Sequence, residues 1–278
     1  MLPNPIFLNV HMYGVMIAVG ILVCFGCLTH YAKKIGLDEK FTDFVFFNGI
    51  AAIAVGFGSA ALFQATYNYI ENPAAGFNLG GGITFLGGLI GGVVCFLAVY
   101  FILRPRLSGR VIDILSLAPC IITVAHGFGR IGCFFAGCCY GKPTDSFLGV
   151  KFPHLATRVH PTQLYEAAFL FILFGVMSYL LLKKKFRHNM TVYLIAYGVF
   201  RFFNEMLRND SRGALVAGLT PSQFWSLLMV VLGVALVFPL RYFYAKRDAE
   251  LAAKRVTEPA DEDATIDPPA PADDTDNT

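Results

Sequence analysis

The segment "ITFLGGLIGGVVCFLAVYFIL", residues 83–103, contains no charged residue. About 20 mainly apolar residues are needed for a helix to cross the hydrocarbon core of a bilayer. The pair Gly87/Gly91 has the four-residue spacing that lets helix backbones approach closely. The glycines at 80–82 favour a flexible entry to this helix rather than a nucleotide-binding loop, because no strand precedes them. The segment therefore predicts a closely packed transmembrane helix.

The composition of the whole chain agrees with this prediction. Of its 278 residues, 56% are hydrophobic and 15% are charged, whereas a soluble domain usually carries about 25% charged residues. The net charge of +3 is small, and the basic residues are not gathered on one face. Both observations argue against a nucleic-acid partner. Seven segments are long and apolar enough to span, so we expect an all-α polytopic membrane protein with seven transmembrane helices. The segments are residues 13–32, 43–65, 83–103, 112–130, 162–182, 190–207 and 221–243.

The lysines and arginines alternate between the two sides of this predicted bundle. Fifteen of them lie in the first, third and fifth loops or after the last segment, and five lie on the opposite side. Positive residues gather on the cytoplasmic side of membrane proteins. We therefore expect the N-terminus outside and the C-terminus in the cytoplasm.

The composition changes again at about Thr257. The segment "TEPADEDATIDPPAPADDTDNT" carries eight acidic residues and four prolines but no lysine or arginine. Such a segment cannot bury enough apolar surface to offset the entropy lost on ordering. The sequence thus predicts a membrane domain over residues 1–256 and a disordered acidic cytoplasmic tail over 257–278, without a catalytic role for the tail.

Two arginines fall at or within predicted membrane segments. Arg130 ends the fourth segment, and Arg201 lies inside the sixth. Ionisable residues in a membrane are functional candidates, and two guanidiniums at similar depth suit one phosphate group. Glu205 follows Arg201 by four residues, so a structural ion pair is an alternative for Arg201. Arg130 has no comparable neighbour in the sequence, which favours a functional role.

A second group of polar residues opens the fifth segment, in "RVHPTQLYEAAF", residues 158–169. The polar side chains in it are His160, Gln163, Tyr165 and Glu166. Thr162 and Glu166 fit the cap and first turn of a helix. Capping alone does not explain so many polar types close together, so this segment is a second candidate for the site.

Cysteines are concentrated directly after Arg130, at Cys133, Cys138 and Cys139. On the outward, oxidising side a bridge such as Cys133–Cys138 can form. A disulfide that stiffens the loop is the favoured hypothesis, and a reactive thiol is the alternative. The spacing to nearby histidines matches no standard zinc pattern, so we expect neither a metal nor another cofactor. The remaining cysteines, which we expect to be small core residues, are Cys24, Cys27, Cys95 and Cys120.

Several segments resemble, in the right order, motifs of the prolipoprotein diacylglyceryl transferase family of bacterial membrane proteins. The resemblance covers most of residues 9–230. The matching segments are "HMYG" at 11–14, "GGITFLGGLIGG" at 81–92, "GRIGCFFAGCCYG" at 129–141, "HPTQLYE" at 160–166, "YGVFRFFNEMLR" at 197–208 and "PSQFWSL" at 221–227.

The resemblance implies an enzyme of the bacterial cytoplasmic membrane. It would transfer diacylglyceryl from phosphatidylglycerol to the lipobox cysteine thiol of a prolipoprotein, the first step of lipoprotein maturation. The implied partners are phosphatidylglycerol, prolipoprotein signal peptides and membrane lipid. Arg130 and Arg201 would stabilise the charge of the leaving phosphate. The residues expected to bind substrate are Arg130, Tyr13, His160, Gln163, Tyr165, Glu166, Tyr197, Glu205, Cys133 and Cys138.

Four positions depart from the family's pattern. Leu86 stands in place of a histidine, Phe57 in place of an arginine, Cys133 in place of an asparagine and Cys138 in place of an acidic residue. The missing histidine removes the obvious base. His126, one helical turn before Arg130, is a catalytic candidate that can replace it in space. Alternatively, a phosphate beside two arginines would lower the barrier for the thiol without a strong base.

Functions of other classes stay open at this point. The chain could be a related membrane protein with another lipid or thiol substrate. It could also be a thiol-redox membrane protein using Cys133, Cys138 and Cys139, which would lose function on Cys→Ser changes but tolerate changes at Arg201. A transporter or a lipid-binding protein without chemistry is a further alternative. A transporter is expected to show internal symmetry, and the sequence shows no repeat.

Overall fold

A computed structural model describes residues 11–209 and 218–257 of the chain. Most of these residues are helical. The α-helices are α1 Met12–Ile35, α2 Glu39–Glu71, α3 Phe85–Leu103, α4 Val111–Ile114, α5 Ala118–Ala136, α6 Thr162–Lys184, α7 Asn189–Met206, α8 Pro221–Ala235 and α9 Val237–Thr257. Short 3-10 turns lie at Pro73–Ala75 and Arg104–Arg106, and two short strands are β1 Val150–Lys151 and β2 Arg158–Val159.

Local sequence signals explain where several helices begin and end. Gly36 ends α1 in the left-handed conformation, with φ of 71°, which costs glycine no steric strain. Asp38 then caps α2, because its carboxylate accepts from the backbone N–H of Phe41 at 2.9 Å. That carboxylate also accepts from Ser108 Oγ at 2.5 Å, and the two hydrogen bonds lower the pKa of Asp38. Asp38 thereby connects the α1–α2 turn to the segment that follows α3.

Five of the described helices are long and apolar enough to cross a membrane, namely α1, α2, α3 with its 3-10 extension, α5 and α6. A sixth span results if α8 and α9 are taken as one broken span. The predicted span at 112–130 is wrong in its bounds, since the helix runs over Ala118–Ala136 and begins with Pro119 in its first turn. The predicted span at 190–207 corresponds to α7, but this helix is too polar to count among the candidate spans. The chain is therefore a polytopic helical membrane protein with five to six candidate spans, and seven spans are not confirmed.

The last predicted span, 221–243, is interrupted. α8 ends at Ala235, and α9 begins at Val237. Pro239 has no backbone N–H to continue the ladder of α8, but it is tolerated in the first turn of a new helix. By itself, α9 changes from an apolar beginning to a charged end in which Arg247 lies 3.8 Å from Glu250. The acidic tail lies outside the described residues apart from Thr257, and its disorder stays a prediction.

Small residues pack α2 against α3, as their spacing predicts. A side chain at Gly88 would lie 3.2 Å from the carbonyl oxygen of Gly56, and one at Gly91 would clash with Ser59. Ser59 Oγ also donates to the carbonyl of Gly87 at 2.8 Å. The two backbones therefore approach too closely for larger residues at these glycines.

A second group of helices surrounds the polar residues of interest. α5 packs against α1 and α6, and α7 packs against α6 and α8. Close approach again depends on small residues: a side chain at Gly20 of α1 would lie 3.0 Å from the carbonyl of Ala125. At the opposite end of α5, a side chain at Gly132 would lie 3.1 Å from the ring of Tyr13. This packing places the ends of α5, α6 and α7 next to one another.

The connection between α5 and α6 contains the only sheet among the described residues, a pair of two-residue strands in an otherwise mostly helical structure. β1 and β2 pair antiparallel, with Val150 opposite Val159. Isolated bridges join Pro143 to Val159 and Gly141 to Arg208. The sheet and the Gly141 bridge fix the segment after α5 against the start of α6 and the end of α7.

Candidate active site in the membrane

Glu166 is the centre of a buried charged cluster. Its side chain is 1% exposed, although it lies on a membrane helix. Its Oε1 lies 3.0 Å from Arg130 Nε, and its Oε2 accepts from Arg201 Nη1 at 3.4 Å. Tyr197 donates its hydroxyl to Oε1 at 2.7 Å. A buried carboxylate is stable only when paired and hydrogen-bonded in this way, and the four side chains therefore form one unit.

Three helices bring these groups together. Arg130 comes from α5, Glu166 from the second turn of α6, and Tyr197 and Arg201 from α7. On α7 the polar residues form one stripe, because positions separated by three or four lie on the same helix face. Glu205 continues this stripe and lies 2.8 Å from Arg201. The polar face of α7 thus lies against α5 and α6.

The cluster continues to Arg208, directly after α7. Its Nε lies 3.5 Å from Glu205 Oε2, and the residue is buried. The cluster therefore contains three guanidiniums, of Arg130, Arg201 and Arg208, and two carboxylates, of Glu166 and Glu205. Arg130 is the more exposed of the two arginines at Glu166, with 20% of its side chain accessible against 11% for Arg201.

His126 lies beside the cluster, as its position one turn before Arg130 predicts. Its Nε2 is 3.8 Å from Glu166 Oε1. Its ring meets the ring of Tyr197 edge-on, with centroids 5.1 Å apart. About a quarter of its side chain is accessible. The geometry therefore places an imidazole nitrogen close to the buried carboxylate, on a side chain that is only partly buried.

Tyr13 approaches the same region from the first turn of α1. It lies against Gly132, two residues after Arg130 on α5. Its side chain is about one-third exposed. Tyr13 is thus close to the end of α5 but shows no hydrogen bond to the charged cluster.

The motif at 160–166 divides into two parts. Glu166 enters the cluster, whereas His160 and Tyr165 face one another, with Nδ1 3.2 Å from the phenol oxygen. Gln163 is buried and donates to the carbonyl of Cys138. Thr162 Oγ1 donates to the carbonyl of Cys139 at 2.8 Å. The expected capping by Thr162 and Glu166 is wrong, because both side chains bond to other elements and no side chain caps α6.

The three cysteines after Arg130 also lie together. Cys133 is in the last turn of α5, and Cys138 and Cys139 follow Gly137, whose φ of 71° ends the helix. Their three Sγ atoms lie within 4.8 Å of one another, and all three are free thiols in the structure. Hydrogen bonds from the thiols of Cys133 and Cys138, and then the Arg208 guanidinium, lower the pKa of Cys139. The thiols that a disulfide would need are close together, but the predicted bridge is not formed.

Two of the departing positions lie elsewhere. Phe57 is on α2 and Leu86 on α3, and both are about half exposed. Neither contributes a polar group near Glu166. The charged side chains of the cluster therefore come from α5, α6 and α7 and not from these two positions.

Sequence reasoning missed three participants. Asn204 Nδ2 lies 3.5 Å from Glu166 Oε2, and Arg201 Nη2 donates to Ser222 Oγ of α8 at 3.3 Å. Arg208 falls just beyond the sixth predicted segment, residues 190–207. The spacing of polar residues in the sequence does indicate Asn204 and Arg208, because both continue the polar stripe of α7 at helical spacing. Ser222 gave no signal, because its contact depends on how α8 packs on α7.

A polytopic helical membrane protein with a buried cluster of arginines and glutamates is the class that this geometry defines. A family model described as prolipoprotein diacylglyceryl transferase matches residues 4–239. The chain belongs to this family.

Related sequences of similar length carry the name of this family. A phosphatidylglycerol–prolipoprotein diacylglyceryl transferase of Clostridium tetani is 38% identical over 82% of this chain and 92% of its own length. A protein of Clostridium perfringens named as the second such transferase is 32% identical over 82% of this chain and 90% of its own. The corresponding transferase of Marinomonas sp. is 30% identical over 83% of this chain and 88% of its own. The similarity therefore extends over the membrane helices and the cluster.

Proposed function

We propose that this protein transfers the diacylglyceryl group of phosphatidylglycerol to the lipobox cysteine thiol of prolipoproteins. Membership of the family and the names of the relatives support this function. The single observation that carries it is the charged cluster around Glu166. Its partners would be phosphatidylglycerol and the signal peptides of prolipoproteins.

The arginines of the cluster suit one lipid phosphate. Arg130 and Arg201 both lie at Glu166, and phosphatidylglycerol carries a single negative charge on its phosphodiester. Planar guanidiniums bind phosphate oxygens through paired hydrogen bonds, so these two side chains would hold the phosphodiester. Arg130 is the more accessible guanidinium and would meet the phosphate first, while Glu166 and Glu205 keep the arginines in place.

The reaction then needs little further chemistry from the protein. The sulfur of the prolipoprotein cysteine attacks the carbon of the diacylglyceryl group that is bonded to the phosphate oxygen. A C–S bond forms, the C–O bond breaks, and glycerol phosphate leaves with the bonding electrons. Fixed positive groups directed at the leaving phosphate stabilise the charge that develops there. Arg130 and Arg201 supply such groups inside the membrane.

The proton of the attacking thiol must also be removed, because the thiolate is the nucleophile. His126 is the base we assign, since it is partly accessible and lies within 3.8 Å of Glu166. Glu166 would orient the imidazole and stabilise it once protonated. Tyr13, near the outward end of α5, would border the entrance for substrate.

The position of the site implies a particular topology. We infer that α7 crosses the membrane despite its polarity, because its polar stripe is satisfied by Glu166 of α6 and Ser222 of α8. Polar residues that face a bundle interior are compatible with spanning. With α8 and α9 as one further broken span, this gives seven spans, an outside N-terminus and a cytoplasmic C-terminus, in the bacterial cytoplasmic membrane.

Complementation tests the proposal. A strain depleted of its own diacylglyceryl transferase should regain growth and lipoprotein maturation when this chain is expressed. The purified protein should also convert a lipobox peptide to its diacylglyceryl form with phosphatidylglycerol, but not with phosphatidylethanolamine. Failure of both assays with well-inserted protein would reject the function, and success with another lipid alone would replace the substrate.

A further inference from the structure

The three cysteines at the end of α5 form a group to which the proposed reaction assigns no chemical step. Their sulfur atoms, on Cys133, Cys138 and Cys139, lie within 4.8 Å of one another. Among the described residues, no other set of three histidine, cysteine or acidic side chains brings its ligand atoms together in this way. Cys138 is exposed and the other two are partly buried, so the group can be reached from outside.

A single metal ion would use all three thiols, whereas a covalent bridge would use two. A metal–sulfur bond of about 2.3 Å places three sulfurs of a trigonal or tetrahedral site about 3.8–4.0 Å apart. A disulfide requires two sulfurs at about 2.05 Å and leaves the third thiol without a role. The three sulfurs already lie within 4.8 Å of one another, so one ion between them would engage every thiol of the group.

The backbone that carries the thiols is held in place from two sides. Cys139 has a φ of 65°, a conformation that non-glycine residues rarely adopt and that is retained where surrounding contacts fix it. The carbonyls of Cys138 and Cys139 accept from Gln163 and Thr162 of α6. The N–H of Gly141 donates to the carbonyl of His160 at 2.8 Å. The turn that carries Cys138 and Cys139 is thus held by hydrogen bonds next to the end of α5, where Cys133 lies.

The neighbourhood also suits an anionic ligand set. The Arg208 side chain lies beside the sulfur of Cys139. Three thiolates and a divalent ion carry a net charge of −1, which an adjacent guanidinium offsets. Soft thiolate ligands select soft ions such as Zn²⁺ and Cu⁺.

We propose that Cys133, Cys138 and Cys139 bind one soft, thiophilic metal ion through three thiolates at the outward end of α5. This replaces the expectation of a structural disulfide without a metal. The ion would join the end of α5 to the turn that α6 holds, and so would stabilise the helix ends that carry Arg130 and Glu166. The proposal does not depend on the transfer reaction.

Cadmium binding to the full-length protein in detergent tests it. Cd²⁺ is a spectroscopic probe for zinc-type thiolate sites, because cadmium–thiolate bonds give an ultraviolet charge-transfer band. We expect one Cd²⁺ per chain, the charge-transfer band, displacement by Zn²⁺, and a rise in Tm on binding. Alkylating the three thiols of the wild-type protein should abolish the band, which avoids any question of variant folding.

Variants assign the ligands. Cys133→Ser, Cys138→Ser and Cys139→Ser should each weaken Cd²⁺ binding by at least about tenfold. Cys95→Ser is the matched control, because Cys95 lies within α3 away from the group, and it should bind as wild type does. Stoichiometric binding that survives the triple serine variant would overturn the proposal. So would absence of the band, or thiols at 133, 138 and 139 that label only after reductant, which would show a disulfide.

Discussion

Arg130 on α5 and Glu166 on α6 form an ion pair, with Nε 3.0 Å from Oε1 and the carboxylate 1% exposed. The pair joins the two motifs that the sequence analysis treated separately. It also shows that Arg130 does have a partner, 36 positions away in the sequence. Because the other oxygen of Glu166 accepts from Arg201, one carboxylate sets the separation of the two arginines.

Arg130→Lys should depress transfer severely. Lysine keeps the charge but loses the planar fork that holds both a carboxylate and a phosphate. Loss of one such donor at developing charge costs about 10²–10³-fold in rate. The measurement is diacylglyceryl transfer to a lipobox peptide, normalised to inserted protein. Arg158→Lys is the control, since Arg158 is exposed on β2, and it should leave transfer nearly unchanged. Near-normal transfer by Arg130→Lys would remove Arg130 from the site.

Glu166→Gln should destabilise the folded protein as well as impair transfer. Removing one partner from a buried ion pair costs about 3–5 kcal/mol, because the remaining charges lose their compensation. Thermal unfolding in detergent should therefore show a Tm several degrees lower. Glu71→Gln, which changes an exposed acceptor of Tyr67, should leave Tm unchanged. An unaltered Tm for Glu166→Gln would show that the cluster is not held together by this carboxylate.

Arg201→Ala should be about as damaging to transfer as a change at Arg130, whereas Glu205→Gln should be milder. Arg201 contacts Glu166 directly, but Glu205 acts by orienting Arg201 from 2.8 Å. A glutamine at 205 can still accept from the guanidinium through its amide oxygen. Transfer rates of both variants, with membrane levels measured in parallel, check the order. A loss at Glu205→Gln equal to that at Arg201→Ala would mean that Glu205 contributes more than orientation.

The sequence predicts the polar partners well where they share a helix and poorly where they do not. The Arg201–Glu205 pair follows from a spacing of four, and it is present. The Arg130–Glu166 pair depends on how α5 packs against α6, which no local pattern records. Arg208 follows the predicted segment 190–207 and so belongs to a loop by sequence, yet the Gly141 bridge and Glu205 keep it buried.

The spans show the same division. The uncharged segment at 83–103 corresponds closely to α3, because composition alone is sufficient there. α5 and α7 carry charges that are stabilised by other helices. The predicted bounds of α5 are therefore displaced, and the hydropathy of α7 is too low for a candidate span. Leu86 shows why the sequence defines the site only in part. Its replacement of a histidine indicates a lost base, but no local pattern records that His126 lies beside Glu166.

Topology can be tested at α7 directly. If α7 spans, reporter fusions at Arg187 and at position 213 should lie on opposite sides, with Arg187 and Thr257 both cytoplasmic. The reason is the lysines and arginine before α7, which favour the cytoplasm. A fusion in the 66–80 segment serves as the outward control. If the reporters at Arg187 and 213 lie on the same side, α7 does not span the membrane. The start of α7 would then lie on the same side of the membrane as the site.

The His126→Gln variant tests whether His126 removes the proton of the attacking prolipoprotein thiol. If His126 is the base, its replacement should lower transfer by about 10²–10⁴-fold, with normal insertion and an unchanged Tm. Glutamine preserves polarity and most of the volume but cannot take up the proton. His154→Gln is the control, because His154 lies between Tyr140 and Phe152 rather than beside Glu166, and transfer should be retained. The decisive measurement is the rate as a function of pH. In the His126→Gln variant, transfer should recover at high pH, where the attacking thiol ionises in water without a base. A full rate at neutral pH would show instead that Arg130 and Arg201 activate the reaction through the phosphate alone, so that no residue replaces the histidine that Leu86 displaced.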